Sequence, residues 1–142
     1  MIYIDANILV YALMDFASKG KAARELMRYI DEETVEAATC SLTMDEIMWV
    51  FIRAGRKDSL KKAITGFYES NLRILPVSKQ APLNACTIIE ECGLAPRDAI
   101  HAAVMKENHL KEMVSEDKGF DSLNRFKRYS LKDFLELDKE KL

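Results

Sequence analysis

Residues 2–10 read Ile-Tyr-Ile-Asp-Ala-Asn-Ile-Leu-Val, and this stretch decides the fold class. Its first three residues are β-branched or aromatic and predict a buried strand that ends at Asp5. Asn7 is a residue type that caps helices, so a helix is predicted from there through Leu13. A carboxylate in such apolar surroundings needs a partner once it is buried. Because no Lys or Arg lies nearby in sequence, Asp5 is the first candidate functional residue.

Strands and helices alternate along the rest of the chain. Alternation of this kind predicts an α/β fold, in which a parallel sheet carries helices on both faces. In such folds ligands bind beyond the carboxyl ends of the strands. Further strands are predicted at 35–40, 72–77, 113–115 and 128–129. Further helices are predicted at 18–30, 43–55, 60–69, 78–93, 96–108 and 134–137.

The overall composition limits the function classes. The chain has 142 residues, which is the size of one domain, and a single domain over 1–142 is predicted. It has 21 Lys and Arg against 23 Asp and Glu, a net charge of −2. A sequence-independent nucleic-acid coat protein is normally strongly basic, so that class is excluded. A phosphate-containing substrate would need local positive charge or metal ions.

The cysteines, histidines and apolar segments exclude several further classes. Three cysteines without a C-x-x-C pair, Cys40, Cys86 and Cys92, predict free thiols rather than a disulfide framework or zinc site. The longest apolar segments, 8–14 and 99–105, are too short to cross a bilayer. A cytoplasmic protein with no membrane association is therefore predicted. No Gly-rich phosphate-binding motif supports a nucleotide cofactor.

Four acidic residues follow predicted strands or open predicted helices. Each has a structural alternative: Glu46 forms a capping-box pattern with Thr43, Asp98 suits a helix N-terminus, and Asp117 suits a turn. Together with Asp5 they are expected at one edge of the sheet. Two carboxylates 4 Å apart repel by about 4 kcal/mol at an effective dielectric constant near 20. Such a cluster needs protonation or cations, and Mg²⁺ or Mn²⁺ would suit phosphoryl chemistry.

The segments around these acids carry a family resemblance. They are residues 3–11, 41–46, 94–103, 115–121 and 133–135, and they span nearly the whole chain. The chain resembles PIN-domain ribonucleases, and most of all the VapC-type toxins of prokaryotic toxin–antitoxin pairs. The resemblance implies a PIN-like three-layer α/β/α sandwich with a short, mostly parallel central sheet. It also implies an RNA substrate, a small antitoxin partner and a homodimer.

The same resemblance implies roles for individual residues. The metal-binding and catalytic acids would be Asp5, Glu46, Asp98 and Asp117, which would hydrolyse RNA with Mg²⁺ or Mn²⁺ by a two-metal type mechanism and leave a 5′-phosphate. The supporting residues would be Asn7 and Ser115, with Asp121 as a peripheral fifth acid. Ala6 departs from the family, which often has Thr there, so one supporting hydroxyl is absent.

Several other residues have two interpretations. Only one of the adjacent acids Glu116 and Asp117 is expected to face the metal, and Asp117 is preferred. Arg97 either contacts a phosphate or braces Asp98. His101, one turn after Asp98, is expected to be a packing histidine rather than a ligand or base.

Surface roles are open for two further groups of residues. Trp49 is expected in the core or an interface, and the helix that carries Met44, Met48, Trp49 and Phe51 could offer a groove to a partner helix. Two basic clusters are expected to be solvated faces unless an RNA backbone lies on them. They are Arg53, Arg56, Lys57, Lys61 and Lys62, and Arg125, Lys127, Arg128 and Lys132.

Three alternative functions differ from a toxin ribonuclease. A PIN nuclease in RNA processing would share the chemistry. A catalytically inactive PIN-like module would bind RNA or protein only. A phosphatase of the haloacid-dehalogenase type also has an Asp after its first strand, but it needs a second Asp two positions later, where this chain has Asn7.

Overall fold

The computed structural model describes residues 1–141, with side chains through Leu137. In this part of the chain the strands form one sheet in the order β3-β2-β1-β4-β5. All four pairings between neighbouring strands are parallel, which confirms the predicted sheet. The strands are β1 (Ile2–Ile4), β2 (Ala37–Cys40), β3 (Arg73–Leu75), β4 (Glu112–Val114) and β5 (Lys127–Tyr129).

The helices lie between these strands, close to the predicted bounds. Pro96 begins its helix, as the preference for proline in the first turn predicts. Gly93 ends the preceding helix in the left-handed conformation, with φ of +70°. The helices are α1 (Ala6–Met14), α2 (Ser18–Asp31), α3 (Ser41–Arg53), α4 (Leu60–Glu69), α5 (Ala81–Cys92), α6 (Pro96–Glu107) and α7 (Leu131–Lys141), with short 3₁₀ turns at Lys57–Ser59 and Lys118–Ser122.

The apolar residues form one cluster on each face of the sheet. Ile2 and Ile4 point to the cluster that includes α1, α2, α3 and α7 residues. Tyr3 points the opposite way, into the cluster built with α5 and α6. Because successive side chains of a strand alternate between faces, β1 contributes to both cores. This arrangement confirms the three-layer α/β/α sandwich.

Four predicted helix starts are wrong. The helix predicted from 78 begins at Ala81, and the helix predicted from 134 begins three residues earlier, at Leu131. Asp5, not Asn7, is the N-cap of α1, and its carboxylate accepts the N–H of Ala6 at 2.8 Å. Thr43 does not open α3, because that helix begins at Ser41 directly after β2. The Thr43 hydroxyl is instead hydrogen-bonded to the Thr39 hydroxyl at 2.6 Å, inside the core.

The strand order determines which residues meet at the carboxyl edge of the sheet. β1 lies between β2 and β4, with Tyr3 paired to Ala38 and Ile4 paired to Val114. The residues that follow these strands therefore converge. Within the described residues, every helix is too short or too polar to cross a membrane.

Candidate active site

Asp5 lies at the centre of the carboxyl edge and is almost completely buried, with 6% of its surface exposed. Its Oδ2 accepts a hydrogen bond from the hydroxyl of Ser115 at 2.5 Å. Burial raises the pKa of Asp5, and the nearby charge of His101 and the Ser115 hydrogen bond oppose that rise only in part. Its partners are therefore polar groups and another titratable side chain rather than Lys or Arg.

Glu46 lies in the second turn of α3, because the helix begins earlier than predicted. Its Oε1 is 2.7 Å from Nε2 of His101. The capping-box interpretation with Thr43 is therefore wrong, since both side chains have other partners. Single carboxylate oxygens of Asp5 and Glu46 and a nitrogen of His101 all lie within 4.8 Å of one another.

Asp98 and Asp117 lie next to this group, close enough for the charges of Asp5 and Asp117 to act on Asp98. Asp98 is in the first turn of α6. Burial raises the pKa of Asp98 to about 7, helped by the charges of Asp117 and Asp5 and by a hydrogen bond with Asp117. Asp117 caps the 3₁₀ turn after β4 and accepts the N–H of Gly119 at 2.8 Å. The fold thus brings together all four acids that the sequence singled out.

Ser115 connects the two sides of the cluster. Its buried hydroxyl donates to Asp5 and accepts the backbone N–H of Asp117 at 3.0 Å. The side-chain nitrogen of Asn7 also donates to it, at 3.4 Å. Among the described residues, Oδ1 of Asn7 is buried without a hydrogen-bond donor. A buried acceptor of this kind is normally satisfied by a water or an ion, so Asn7 and Ser115 fit the supporting positions expected of them.

The structure separates Glu116 from Asp117. Oε1 of Glu116 accepts the backbone N–H of Leu131 at 2.9 Å, at the start of α7. Asp117 instead lies close enough to Asp98 for its charge to raise the pKa of that carboxyl. Of the two adjacent acids, Asp117 is therefore the one that belongs to the cluster.

Asp121 is turned away from the cluster. It forms a two-pronged ion pair with Arg128, with nitrogen–oxygen distances of 2.9 and 3.1 Å. The same arginine donates to the backbone oxygen of Ser115 at 2.9 Å, so this pair holds the turn after β4 in place. Asp121 supports the site only through that turn.

Arg97 does not brace Asp98. Its guanidinium is 3.5 Å from Asp45, and both side chains are about half exposed. Contact with a phosphate is the alternative that the structure leaves to Arg97.

His101 is the residue whose place in the site the sequence interpretation missed. It is completely buried, as a packing histidine would be, but both of its ring nitrogens have polar partners. His101 lies three residues after Asp98, so both residues are on one face of α6. This spacing is the sequence signal that could have placed His101 at the site.

The cluster fits a divalent cation. Four carboxylates and the oxygen of Asn7 provide the hard oxygen donors that Mg²⁺ and Mn²⁺ prefer. Among the side chains that the structure describes, no Lys or Arg forms an ion pair with any of the four acids. Clustered carboxylates need either protons or cations to offset their repulsion. The raised pKa values of Asp5 and Asp98 are consistent with this need.

The structure shows which residues of α3 and of the two basic clusters lie on the surface. Met44 and Phe51 are buried, so they cannot line a groove, whereas Met48, Trp49 and Ile52 are exposed on α3. Trp49 therefore lies outside the core, with the Arg53 guanidinium 6.0 Å from its ring centre. Every residue of the first basic cluster is exposed, as expected; in the second cluster, Arg128 forms an ion pair with Asp121.

Comparison with known proteins places this geometry in context. The PIN domain family matches residues 2–125. A VapC ribonuclease of Mycobacterium bovis is 25% identical over 129 residues, which cover 90% of this chain and 98% of that protein. Ribonuclease VapC23 of Mycobacterium tuberculosis is 28% identical over 118 residues, covering 82% of this chain and 93% of the relative.

Solved structures show the same fold. DNA-bound VapBC from Salmonella typhimurium matches with a TM-score of 0.72 and 16% identity, over 92% of this chain and 99% of that one. VapC20 of Mycobacterium tuberculosis, described as a toxin that cleaves the sarcin-ricin loop, matches with a TM-score of 0.72 and 13% identity, over 88% and 96% of the two chains.

Proposed function

Because the chain belongs to the PIN domain family, we propose that it is a metal-dependent endoribonuclease, the toxin of a toxin–antitoxin pair. The convergence of Asp5, Glu46, Asp98 and Asp117 at the carboxyl edge of the sheet carries this proposal. The names of the relatives, VapC ribonucleases, supply the substrate class. Because the chain belongs to this family, the alternative hypothesis of a haloacid-dehalogenase type phosphatase is dropped.

The four acids would hold Mg²⁺ or Mn²⁺ by their carboxylate oxygens. Bound there, divalent ions supply a water of lowered pKa and positive charge against the scissile phosphate. The protein's own contribution is to hold the acids in place. Asp5 is fixed by Ala6 and Ser115, and Asp117 is fixed by Gly119 and Ser115.

Without a cation, burial and the charges of Asp117 and Asp5 raise the pKa of Asp98 to about 7, so this carboxyl is partly protonated near neutral pH. Asp98 would release that proton when a cation binds, because a metal ion needs deprotonated ligands.

RNA cleavage by the purified protein tests the proposal. Cleavage of structured and unstructured RNAs should require Mg²⁺ or Mn²⁺, stop with a chelator, and leave 5′-phosphate ends. Asp5→Asn and Asp98→Asn should each abolish it. If both variants cleave like the parent protein, the site assignment is wrong; if the parent protein binds Mn²⁺ but cleaves no RNA, a binding module is favoured.

The biological role needs a separate test. A toxin should arrest growth of a bacterial host when it is expressed alone, and Asp98→Asn should not. A nuclease of RNA processing should cleave RNA in vitro without arresting growth. A small antitoxin and a homodimer belong to the same proposal; light scattering of the purified chain would measure its oligomeric state.

A further inference from the structure

A row of three hydrogen-bonded side chains lies behind the acidic cluster, which we name the Tyr3–His101–Glu46 chain. The hydroxyl of Tyr3 is 2.6 Å from Nδ1 of His101, and Nε2 of His101 is 2.7 Å from Oε1 of Glu46. Tyr3 and His101 have no exposed surface, whereas the Glu46 side chain is 19% exposed. The Tyr3–His101–Glu46 chain therefore runs from the core of the sheet to the edge of the site.

The partners of His101 determine where its hydrogens are. An ionised carboxylate only accepts hydrogen bonds, so Nε2 of His101 carries a hydrogen and donates it to Glu46. Nδ1 is hydrogen-bonded to the Tyr3 hydroxyl, from which it accepts if the ring is neutral and to which it donates if the ring is protonated; Sγ of Cys40 is farther away at 3.6 Å. Both ring nitrogens are thus occupied by protein groups.

This arrangement fixes the orientation of Glu46. A glutamate side chain has several rotatable bonds, and a hydrogen bond to a fully buried imidazole restricts them. Oε1 is held by His101, and among the described residues no donor engages the other oxygen of Glu46. Tyr3, at the inner end of the Tyr3–His101–Glu46 chain, is on the central strand β1, two residues before Asp5. The spacing between Glu46 and Asp5 is therefore set by β1 through His101.

We propose that His101 and Tyr3 are positioning residues that hold Glu46 ready for a divalent cation, and that His101 is not itself a metal ligand. This proposal rests on the proposed function, because it assumes that the acidic cluster binds the cation. A ligand role for His101 would break its bond to Glu46. Outer groups of this kind typically change metal affinity by 10–100-fold when they are removed.

Titration with Mn²⁺ alone, monitored by electron paramagnetic resonance, measures the metal affinity of each variant without using RNA. We expect His101→Leu to weaken Mn²⁺ binding by about 10–100-fold and Tyr3→Phe by a smaller factor. His101→Gln keeps a side-chain N–H and should restore most of the affinity. His109→Asn is the matched control, because His109 is exposed and its φ of 57° suits asparagine. Circular dichroism checks that each variant folds.

A double-mutant cycle shows whether His101 acts through Glu46. In a Glu46→Ala background, His101→Leu should cause no further loss of Mn²⁺ affinity. A second full loss in that background overturns the proposal, and so does hyperfine coupling from a directly bound imidazole nitrogen in the Mn²⁺-loaded parent protein. If His101→Leu does not fold, an unchanged affinity in Tyr3→Phe overturns it.

The outcomes also separate this proposal from the proposed function. A parent protein that binds no Mn²⁺ refutes both. A parent protein that binds Mn²⁺ and loses it in Asp98→Asn, but not in folded His101→Leu, refutes only the positioning role.

Discussion

The acidic site has two sides that differ in how their charges are satisfied. On the Glu46 side, the carboxylate is held by a buried histidine that is itself bonded to Tyr3. On the Asp98–Asp117 side, two acids face each other, and burial with these like charges raises the pKa of Asp98 to about 7. One side is completed by the protein, and the other needs a proton or a cation.

This difference indicates how the site is prepared for a metal ion. A hydrogen-bonded carboxylate costs little reorganisation when a cation arrives. The opposed carboxylates of Asp98 and Asp117 repel each other and supply an unmet demand for positive charge. Ser115 ties the sides together, because its hydroxyl contacts both Asp5 and the backbone of Asp117.

Among the variants that test this comparison, the largest effect is expected at Asp117, which is adjacent to Glu116. Asp117→Asn should lower RNA cleavage by about 10³-fold, because it removes a charged metal ligand from the cluster. Glu116→Gln is the matched control, since its amide oxygen can still accept the N–H of Leu131. Initial rates in saturating Mg²⁺ measure both. Equal losses in the two variants would mean that the assignment of Asp117, rather than Glu116, to the acidic cluster is wrong.

The next effect is the pH dependence of metal binding. Because the pKa of Asp98 is raised to about 7, a cation must displace a proton from the Asp98–Asp117 pair below that pH. Mn²⁺ affinity should rise by up to about tenfold per pH unit toward pH 7 and then level off. Titration calorimetry between pH 5.5 and 8 measures this. A flat profile would show that the pair holds no such proton.

A smaller effect concerns the stability of the metal-free protein. The pKa of Asp98 is raised in the folded state, so the folded protein binds more protons than the unfolded chain between about pH 4 and 7. Its free energy of unfolding should therefore fall as pH rises through that window. Asp98→Asn should be more stable at pH 8 by about 1–2 kcal/mol, a value reduced for solvent screening of a half-buried carboxylate. Urea denaturation in a chelator measures it, with Asp45→Asn as the surface control.

The smallest effect is expected at Arg97. Its partner is the half-exposed Asp45 rather than Asp98, and exposed pairs contribute about 0–1 kcal/mol. Arg97→Gln should therefore change the free energy of unfolding by less than about 1 kcal/mol and leave Mn²⁺ affinity unchanged. A substantial loss of Mn²⁺ affinity would show that Arg97 does brace the acidic cluster.

The sequence predicted most of the fold because its signals are local. Apolar strands that alternate with capped amphipathic helices predict the parallel sheet, and Pro96 and Gly93 mark helix ends by their own backbone preferences. The wrong helix starts have a local cause as well. Asp5 and Asn7 are both good capping residues, and the hydrogen bond between Thr43 and Thr39, four residues apart, replaces the capping-box contact.

The sequence by itself determined which acids stand after strands, because the carboxyl ends of parallel strands meet at one edge. Only the tertiary structure decided which way their neighbours face. Glu116 turns toward α7 and Asp117 toward Asp98, although the two are adjacent. His101 acquires its partners from residues 98 and 55 positions away. Such contacts depend on how the sheet and helices pack, and no local pattern encodes that packing.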